Sequence, residues 1–114
     1  MVIVLMGPEG PDVERLGTEL AARLGWRYID ADAPHSSGDL HVVVARALDR
    51  REPLVLVCER LSARERGLVT AGRRPVRFVS FGTAREPGSD VVLVLNDAAD
   101  DDLNIGRIRQ ELGL

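Results

Sequence analysis

The stretch VIVLMGPEGPDVERLGTEL (residues 2–20) decides the fold, because an apolar run leads through a glycine turn directly into an amphipathic helix. Residues 2–6 are near-continuous aliphatic side chains, which is typical of a parallel strand covered on both faces. A strand, a glycine turn and a helix in this order form the setting in which a helix N-terminus binds phosphate. The helix is predicted to end at Gly25, and its apolar stripe recurs every three and four residues at Val13, Leu16, Leu20 and Leu24.

Four more segments have the pattern of strands. Residues 54–58 and 91–95 are as aliphatic as the first run and are expected to be central or well covered. Residues 26–30 and 76–81 each include an arginine, so we expect strands with one partly wet face.

Helical patterns separate these strands. Asp39 is the expected N-cap of a helix whose apolar stripe covers residues 40–48. Ser62 and Glu65 have the spacing of a capping box that opens a third helix. A fourth helix starts in the acidic segment 97–102. Strands and helices that alternate in this way predict a right-handed parallel α/β sandwich.

Composition limits the classes of function. The 114 residues suit one domain spanning 1–114, with 45% hydrophobic and 29% charged residues as in an ordinary soluble globule. The net charge of −3 gives no general attraction to nucleic acid or to an anionic membrane. One cysteine, Cys58, allows neither an internal disulfide nor a cysteine-based metal site, and we expect it to be buried. A cytoplasmic location is expected, because the start of the chain lacks a basic leader.

The glycine turn departs from the phosphate-loop pattern G-x-x-x-x-G-K-[ST]. Laid on Gly7, the pattern places Asp12 at the second glycine, Val13 at the lysine and Glu14 at the hydroxyl residue. The chain has no lysine that could substitute, because all fifteen of its Lys and Arg positions are arginines.

Compared with the phosphate-loop pattern, the turn also has fewer backbone N–H donors and more negative charge. Pro8 and Pro11 have no N–H to offer a phosphate. Carboxylates ~4 to 6 Å from a phosphate oppose it by very roughly 1 to 4 kcal/mol each. We therefore interpret the turn as a phosphate-loop remnant made of Gly7, Pro8, Glu9, Gly10, Pro11 and Asp12.

Two longer segments point to a family. GWRYIDADAPH (residues 25–35) resembles the second strand and Asp-x-Asp-x-x-His motif of the small sugar-acid kinases, the gluconate kinase family, to which shikimate kinases are distantly related. PLVLVCERLSARERGLVTAGRRPVRFV (residues 53–79) resembles that family's third strand, cysteine-containing turn, arginine-rich helix and fourth strand. The resemblance implies a three-layer α/β/α sandwich with a five-stranded parallel sheet in the order 2-3-1-4-5.

The resemblance also implies a site. Asp30 and Asp32 correspond to catalytic carboxylates, here vestigial candidates, and Asp32, His35 and Arg66 correspond to residues that bind the sugar acid. Each has a simpler alternative reading. The two aspartates also suit a polar turn and His35 a surface loop, while Arg66 also suits a helix surface where it pairs with Glu59 and Glu65.

Two family segments are short in this chain. Seventeen residues separate His35 from Pro53, which is enough for a turn and one helix. Nine residues separate Phe81 from Val91, where the family has a mobile lid, and Arg85 is the one lid-like cation there. A core without a lid cannot exclude water from phosphoryl transfer.

Other polar residues receive structural interpretations. Arg15 is weighed as a substitute cation beside the turn, but is expected to be an exposed partner of Glu19. His41 is expected to be solvated or capped. The acids of residues 97–102 suit the positive end of a helix dipole, so no metal site is expected there.

The sequence thus predicts a gluconate kinase-like protein that is catalytically inactive and acts as a binding or regulatory domain. Its partner would be an unidentified protein or a small sugar acid, with no cofactor, nucleic acid or membrane, and self-association as a homodimer stays open. The alternative is a minimal ATP-dependent kinase of the gluconate or shikimate type, with Asp32 as base, which requires ATP and magnesium. A third reading is a small-anion binder that uses residues 30–35.

Overall fold

The computed structural model describes residues 1–7, 11–30, 37–59, 62–70, 76–82, 91–95 and 100–114. Along the chain these form β1 (Val2–Gly7), α1 (Pro11–Leu24), β2 (Arg27–Asp30), α2 (Ser37–Asp49), β3 (Leu54–Glu59), α3 (Ala63–Thr70), β4 (Val76–Phe81), β5 (Val91–Leu95) and α4 (Asp101–Leu112).

The five strands form one parallel sheet in the order β2-β3-β1-β4-β5. β1 is central, and its first residue, Val2, is in register with Leu54 of β3 and Val76 of β4. The predicted fold class and strand order are therefore confirmed.

Helices cover both faces of the sheet. Alternate residues of each strand point to opposite faces, so the sheet supplies two apolar cores. Residues of α1 and α4 pack in one core with Ile3 and Leu5, while α2 and α3 pack in the other with Val4 and Met6. The result is the predicted three-layer sandwich.

Burial of the outer strands differs from the expectation. β4 was expected to have a partly wet face, yet its residues are buried apart from the partly exposed Arg77, because the strand lies between β1 and β5. β5 was expected to be well covered, but it is an edge strand in which the Val94 side chain is 38% exposed. The strand sequences alone did not reveal which strand forms the edge.

Two helix starts follow from side-chain caps. The predicted capping box is confirmed: the Ser62 N–H donates to Glu65 Oε1 at 3.0 Å, and the Glu65 N–H donates to Ser62 Oγ at 3.2 Å. Asp100 caps α4 by accepting from the Leu103 N–H at 2.9 Å. The expected Asp39 cap is wrong, because α2 already begins at Ser37 and includes residue 39.

Three helices end in the same hydrogen-bonded motif, in which one residue adopts positive φ. That residue is Gly25 after α1 and Gly113 after α4, with φ of 69° and 70°. After α2 it is Arg51, with φ of 53°. The Arg51 turn closes through a bond from the Glu52 N–H to the Ala47 carbonyl at 2.8 Å. An L-residue is strained in this region, whereas glycine is not.

α1 approaches the sheet most closely at Gly17. A Cβ on Gly17 would lie 2.4 Å from Val57 Cγ2 and 3.0 Å from Tyr28 Cε2. These distances are below ordinary van der Waals contact, so the absence of a side chain sets the distance between α1 and the sheet. Among the described residues, no helix combines the length and apolar character that membrane crossing requires.

Candidate functional site

The carboxyl ends of the parallel strands form the candidate site. Gly7 ends β1 beside Glu59 of β3, and the exposed Asp30 ends β2 beside Val57. Ligands of open α/β sheets bind at this edge, in the crevice outside the strand ends. The structure therefore brings the glycine of the loop remnant and one predicted carboxylate to a common edge.

Gly7 is held between two packed side chains. A Cβ on Gly7 would lie 3.3 Å from Phe81 Cβ and 3.3 Å from Val13 Cγ2. Contacts this close leave little room for a side chain where the chain leaves β1. The glycine thus serves the packing of α1 and β4 against β1, whatever the turn binds.

The first turn of α1 combines an apolar anchor with two acids. Val13, at the lysine position of the phosphate-loop pattern, is only 2% exposed and packs in the core with Leu16 and Phe81. Asp12 is exposed and Glu14 partly exposed in the same turn. Carboxylates are favourable here for the helix itself, because they offset the positive end of its dipole.

Arg15, weighed as a substitute cation, is engaged by carboxylates. Its Nε donates to Asp101 Oδ2 at 2.7 Å, and its Nη1 donates to Asp12 Oδ1 at 3.2 Å. The hydrogen bond to Asp101 raises the pKa of Arg15 above its ordinary value. The expected pair with Glu19 is wrong, since Glu19 accepts from Arg23 Nε at 3.0 Å.

A second arginine of α1, Arg23, also pairs with α4. Arg23 also donates to Asp102, so α1 contacts the first turn of α4 through two charge pairs. The hydrogen bond to Asp102 raises the pKa of Arg23. Asp100, Asp101 and Asp102 therefore act as a helix cap and as arginine partners. Within the described ranges, no group of three or more His, Cys, Asp or Glu residues is arranged to hold a metal ion.

Arg66 does not lie on a helix surface. It is 4% exposed and buried on α3, whereas Arg64 of the same helix is exposed. The surface interpretation is therefore wrong for Arg66. This burial was hard to predict, because hydrophobicity does not mark the inner face of this short helix: Leu68 is 55% exposed while the adjacent Val69 is buried.

A buried row crosses the carboxyl end of the sheet beneath α2 and α3. Met6 is in register with Cys58 on one side and with Ser80 on the other. All three are buried, which confirms the prediction for Cys58. The hydroxyl oxygen of Ser80 has no hydrogen-bond partner in the described part of the chain. Ser80 was not predicted, because a serine within an apolar strand gives no separate signal.

His41 links the two helices on this face. The side chain is partly buried, and Nδ1 lies 3.2 Å from the Val69 carbonyl oxygen of α3. The expectation of a solvated or capped histidine did not name this partner on α3. This role depends on the contact between α2 and α3, which the sequence pattern did not specify.

Several predicted residues fall outside the described residues, and their placement stays a prediction. Asp32 and His35 are in this group, so the structure does not test whether they approach Asp30 or Arg66. Only the backbone is described for Pro11 and Glu59. The others outside the described ranges are Pro8, Glu9, Gly10, Arg60, Arg85 and Asp97.

Sequence comparison finds relatives along nearly the whole chain, although no family model matches it. A probable gluconokinase of Mus musculus is 27% identical over 134 residues, covering 98% of this chain and 73% of the relative. A probable gluconokinase of Xenopus tropicalis is 29% identical over 115 residues, covering 82% of this chain and 60% of the relative.

Solved structures share the fold. A sugar kinase from Janibacter sp. superposes with a TM-score of 0.83 at 17% identity, covering 98% of this chain and 94% of that one. A gluconokinase from Sinorhizobium meliloti gives 0.68 at 17% identity, with 98% and 95% coverage. The Mycobacterium tuberculosis APS kinase CysC gives 0.69 at 19% identity, with 99% and 96% coverage. Strand order and these structures together show that the chain has the P-loop kinase fold, and its sequence is similar to those of probable gluconokinases.

Proposed function

We propose that this chain is a non-catalytic member of the gluconate kinase-like group, which binds a ligand or regulates a partner without transferring a phosphoryl group from ATP. The observation that carries the proposal is the burial of Val13 at the lysine position of the loop. The sequence contains no lysine that could take its place. A P-loop lysine neutralises the β and γ phosphates, so its loss removes a main attraction for the nucleotide.

The charges around the turn support the same conclusion. Asp12 and Glu14 occupy the first turn of α1, where a phosphate would otherwise meet the positive end of the helix. Arg15 already contacts two carboxylates. A nucleotide would have to displace these carboxylates or lie beside them, and both alternatives oppose binding.

Two of the predicted site residues have chemistry suited to a sugar acid. Asp30 is exposed at the end of β2, and hydroxyl groups are good partners for a carboxylate. Arg66 is a buried cation on α3, and guanidinium groups bind carboxylates with two hydrogen bonds. We therefore propose a small sugar acid as the ligand, with Asp32 and His35 as further contacts and with no cofactor. An unidentified protein partner is the other candidate.

A second candidate function follows from the names of the relatives. Two of the curated relatives are described as probable gluconokinases, and one structural neighbour is a sugar kinase. A minimal kinase of this kind would use ATP and magnesium, with Asp32 as general base. An arginine would have to supply the charge that lysine supplies in a complete phosphate loop.

A phosphotransfer assay distinguishes the two functions. The full chain is incubated with Mg-ATP and either gluconate or shikimate, and ADP formation is compared with the Asp32→Asn variant. We expect no substrate-dependent turnover in either protein. Turnover in the wild type that falls by ~10²- to 10⁴-fold in Asp32→Asn, the usual contribution of a general base, would contradict the proposal.

Ligand binding is measured separately by calorimetry with gluconate in the absence of nucleotide. The proposal of a sugar-acid ligand expects saturable heat that is reduced by Asp30→Asn. Absence of binding would favour a protein partner, for which light scattering tests self-association and co-purification tests other proteins.

A further inference from the structure

A cleft lies at the amino ends of β2 and β3, whereas the candidate site lies at the carboxyl ends of the strands. The cleft is formed by the start of β2, the C-terminal half of α2 and the segment that enters β3, and its volume is about 180 Å³. Arg27 and Leu54, which begin β2 and β3, are in register at this end. Asp30 ends β2 three residues later, ~10 Å along the strand at ~3.3 Å per residue. The charged groups of the cleft therefore lie at the opposite end of β2 from Asp30, although the apolar lining extends along β2 to Ile29.

The cleft is positively charged in an acidic protein. Three arginines and one glutamate line it, whereas the whole chain has a net charge of −3. Arg27 Nη1 donates to Glu52 Oε1 at 3.2 Å, which accounts for one of the three cations. Among the described residues, Arg46 and Arg50 have no carboxylate within ion-pair distance.

Helix stability explains this arrangement only in part. Arg46 lies in the last turn of α2 and Arg50 directly follows the helix, four residues further on, and like charges at this spacing repel. Cations near the C-terminus of a helix interact favourably with its dipole, which accounts for the position of both arginines at the end of α2. The dipole gives no reason for a third arginine, Arg27, on the neighbouring strand, to line the same cleft.

The floor of the cleft is apolar. Leu54 and Ala47 are buried, and Ile29 and Val43 are partly buried against the same core. Guanidinium groups beside aliphatic side chains suit a ligand with an anionic group and a short carbon body. The volume is below the ~300 to 1,000 Å³ of clefts that hold drug-sized ligands, so a small molecule fits better than a nucleotide.

We propose that this cleft binds a small organic anion, whose oxyanion group contacts Arg46 and Arg50 and whose apolar body packs on Ile29 and Leu54. The oxyanion is a carboxylate or a phosphate ester, both of which form paired hydrogen bonds with guanidinium groups. Glu52 fixes Arg27 at the side of the cleft. The proposal does not depend on whether the carboxyl edge of the sheet binds nucleotide.

Backbone amide NMR of the full chain tests the binding. Sodium butyrate and butyl phosphate are titrated separately to distinguish the two oxyanions, and butylammonium is the cationic probe of equal length. We expect saturable shifts of the Ile29, Ala47 and Leu54 amides with at least one anion, at a Kd of about 1 mM. Absence of saturable shifts with both anions, or equal shifts with butylammonium, would overturn the proposal.

Three variants locate the binding groups. Arg46→Gln and Arg50→Gln each remove one charge-assisted hydrogen bond and are expected to weaken binding about tenfold. Arg51→Gln is the matched control, because residue 51 is exposed and adjacent to Arg50 but does not line the cleft. We expect it to change the Kd by less than about twofold, as remote exposed charges do. Equal weakening by all three variants would show a general charge effect and contradict the proposed site.

Discussion

The two ends of the sheet differ in charge although the same strands build both. At the carboxyl end, the first turn of α1 presents Asp12 and Glu14, and Arg15 is engaged by carboxylates. At the amino end, three arginines and one glutamate line a cleft. The comparison shows that the fold does not determine which end of the sheet carries positive charge. That property depends on a few side chains that the packing does not require.

The packing at the carboxyl end explains why the fold does not need a lysine at residue 13. Val13 fills the core where α1 meets the sheet, and Gly7 and Gly17 allow close contact with neighbouring side chains. A lysine at residue 13 would not improve these contacts. Stability and phosphate binding therefore depend on different atoms of the same segment.

The largest expected effect comes from restoring the lysine of the loop pattern. Val13→Lys places an ammonium group where the native side chain is buried, and we expect urea unfolding to show a loss of about 2 to 4 kcal/mol. Thr18→Lys adds the same charge at an exposed position of α1 and serves as the control. If Val13→Lys is as stable as the control and gains Mg-ATP binding, residue 13 faces the nucleotide site, and the placement of Val13 in the core is wrong.

The next largest effect tests how closely α1 packs on the sheet, between its carboxyl and amino ends. A methyl group at Gly17 would lie 2.4 Å from Val57 Cγ2, so Gly17→Ala is expected to destabilise the protein by about 1 to 3 kcal/mol. Gly67 lies in a helix with nothing within 4 Å of an added Cβ. Gly67→Ala should therefore stabilise by up to about 1 kcal/mol. Equal effects of the two substitutions in thermal unfolding would show that α1 packs less closely than described.

A smaller effect compares the ends of α1 and α2. Arg51→Gly removes the backbone strain of an L-residue at φ 53°. We expect the free energy of unfolding, measured in urea, to rise by roughly 0.5 to 1 kcal/mol. Gly25→Ala introduces the same strain after α1, where space is open, and should destabilise by a similar amount. A destabilising Arg51→Gly would mean that the arginine side chain contributes more than the strained backbone costs.

The smallest effect concerns the charge pairs between α1 and α4. Asp101→Asn removes the closest carboxylate from Arg15, and Asp102→Asn is the matched change at Arg23. Because Arg15, Arg23 and Asp102 are exposed and Asp101 is partly exposed, we expect slight destabilisation at low salt that disappears at ~1 M salt, where the Debye length is ~3 Å. Destabilisation that persists at high salt would indicate a packing role instead.

The strands were predictable because a strand that is buried on both faces appears in the sequence as a continuous run of aliphatic residues. Residues 76–81 and 91–95 were assigned with the observed bounds, since continuous aliphatic runs between turns admit few alternatives. Residues 2–6 and 54–58 each extend by one residue, to Gly7 and Glu59.

The side-chain partners were less predictable, because they depend on contacts between distant segments. Arg15 contacts Asp101, 86 residues along the chain, in preference to the local Glu19. Burial of Arg66 follows from the orientation of a short helix with a weak apolar pattern. The arginine cleft was missed for the same reason, since β2, α2 and the start of β3 each supply part of it.

Titration of the full chain with Mg-ADP, followed by backbone amide NMR, tests the central claim most directly. The readout is the first turn of α1, where the Val13 and Glu14 amides would meet a bound diphosphate. We predict no saturable shift of these amides at ADP concentrations up to ~1 mM. Saturable shifts with a Kd near ~1 μM, equivalent to about −8.2 kcal/mol of binding free energy, would show that the turn still holds nucleotide and would contradict the account.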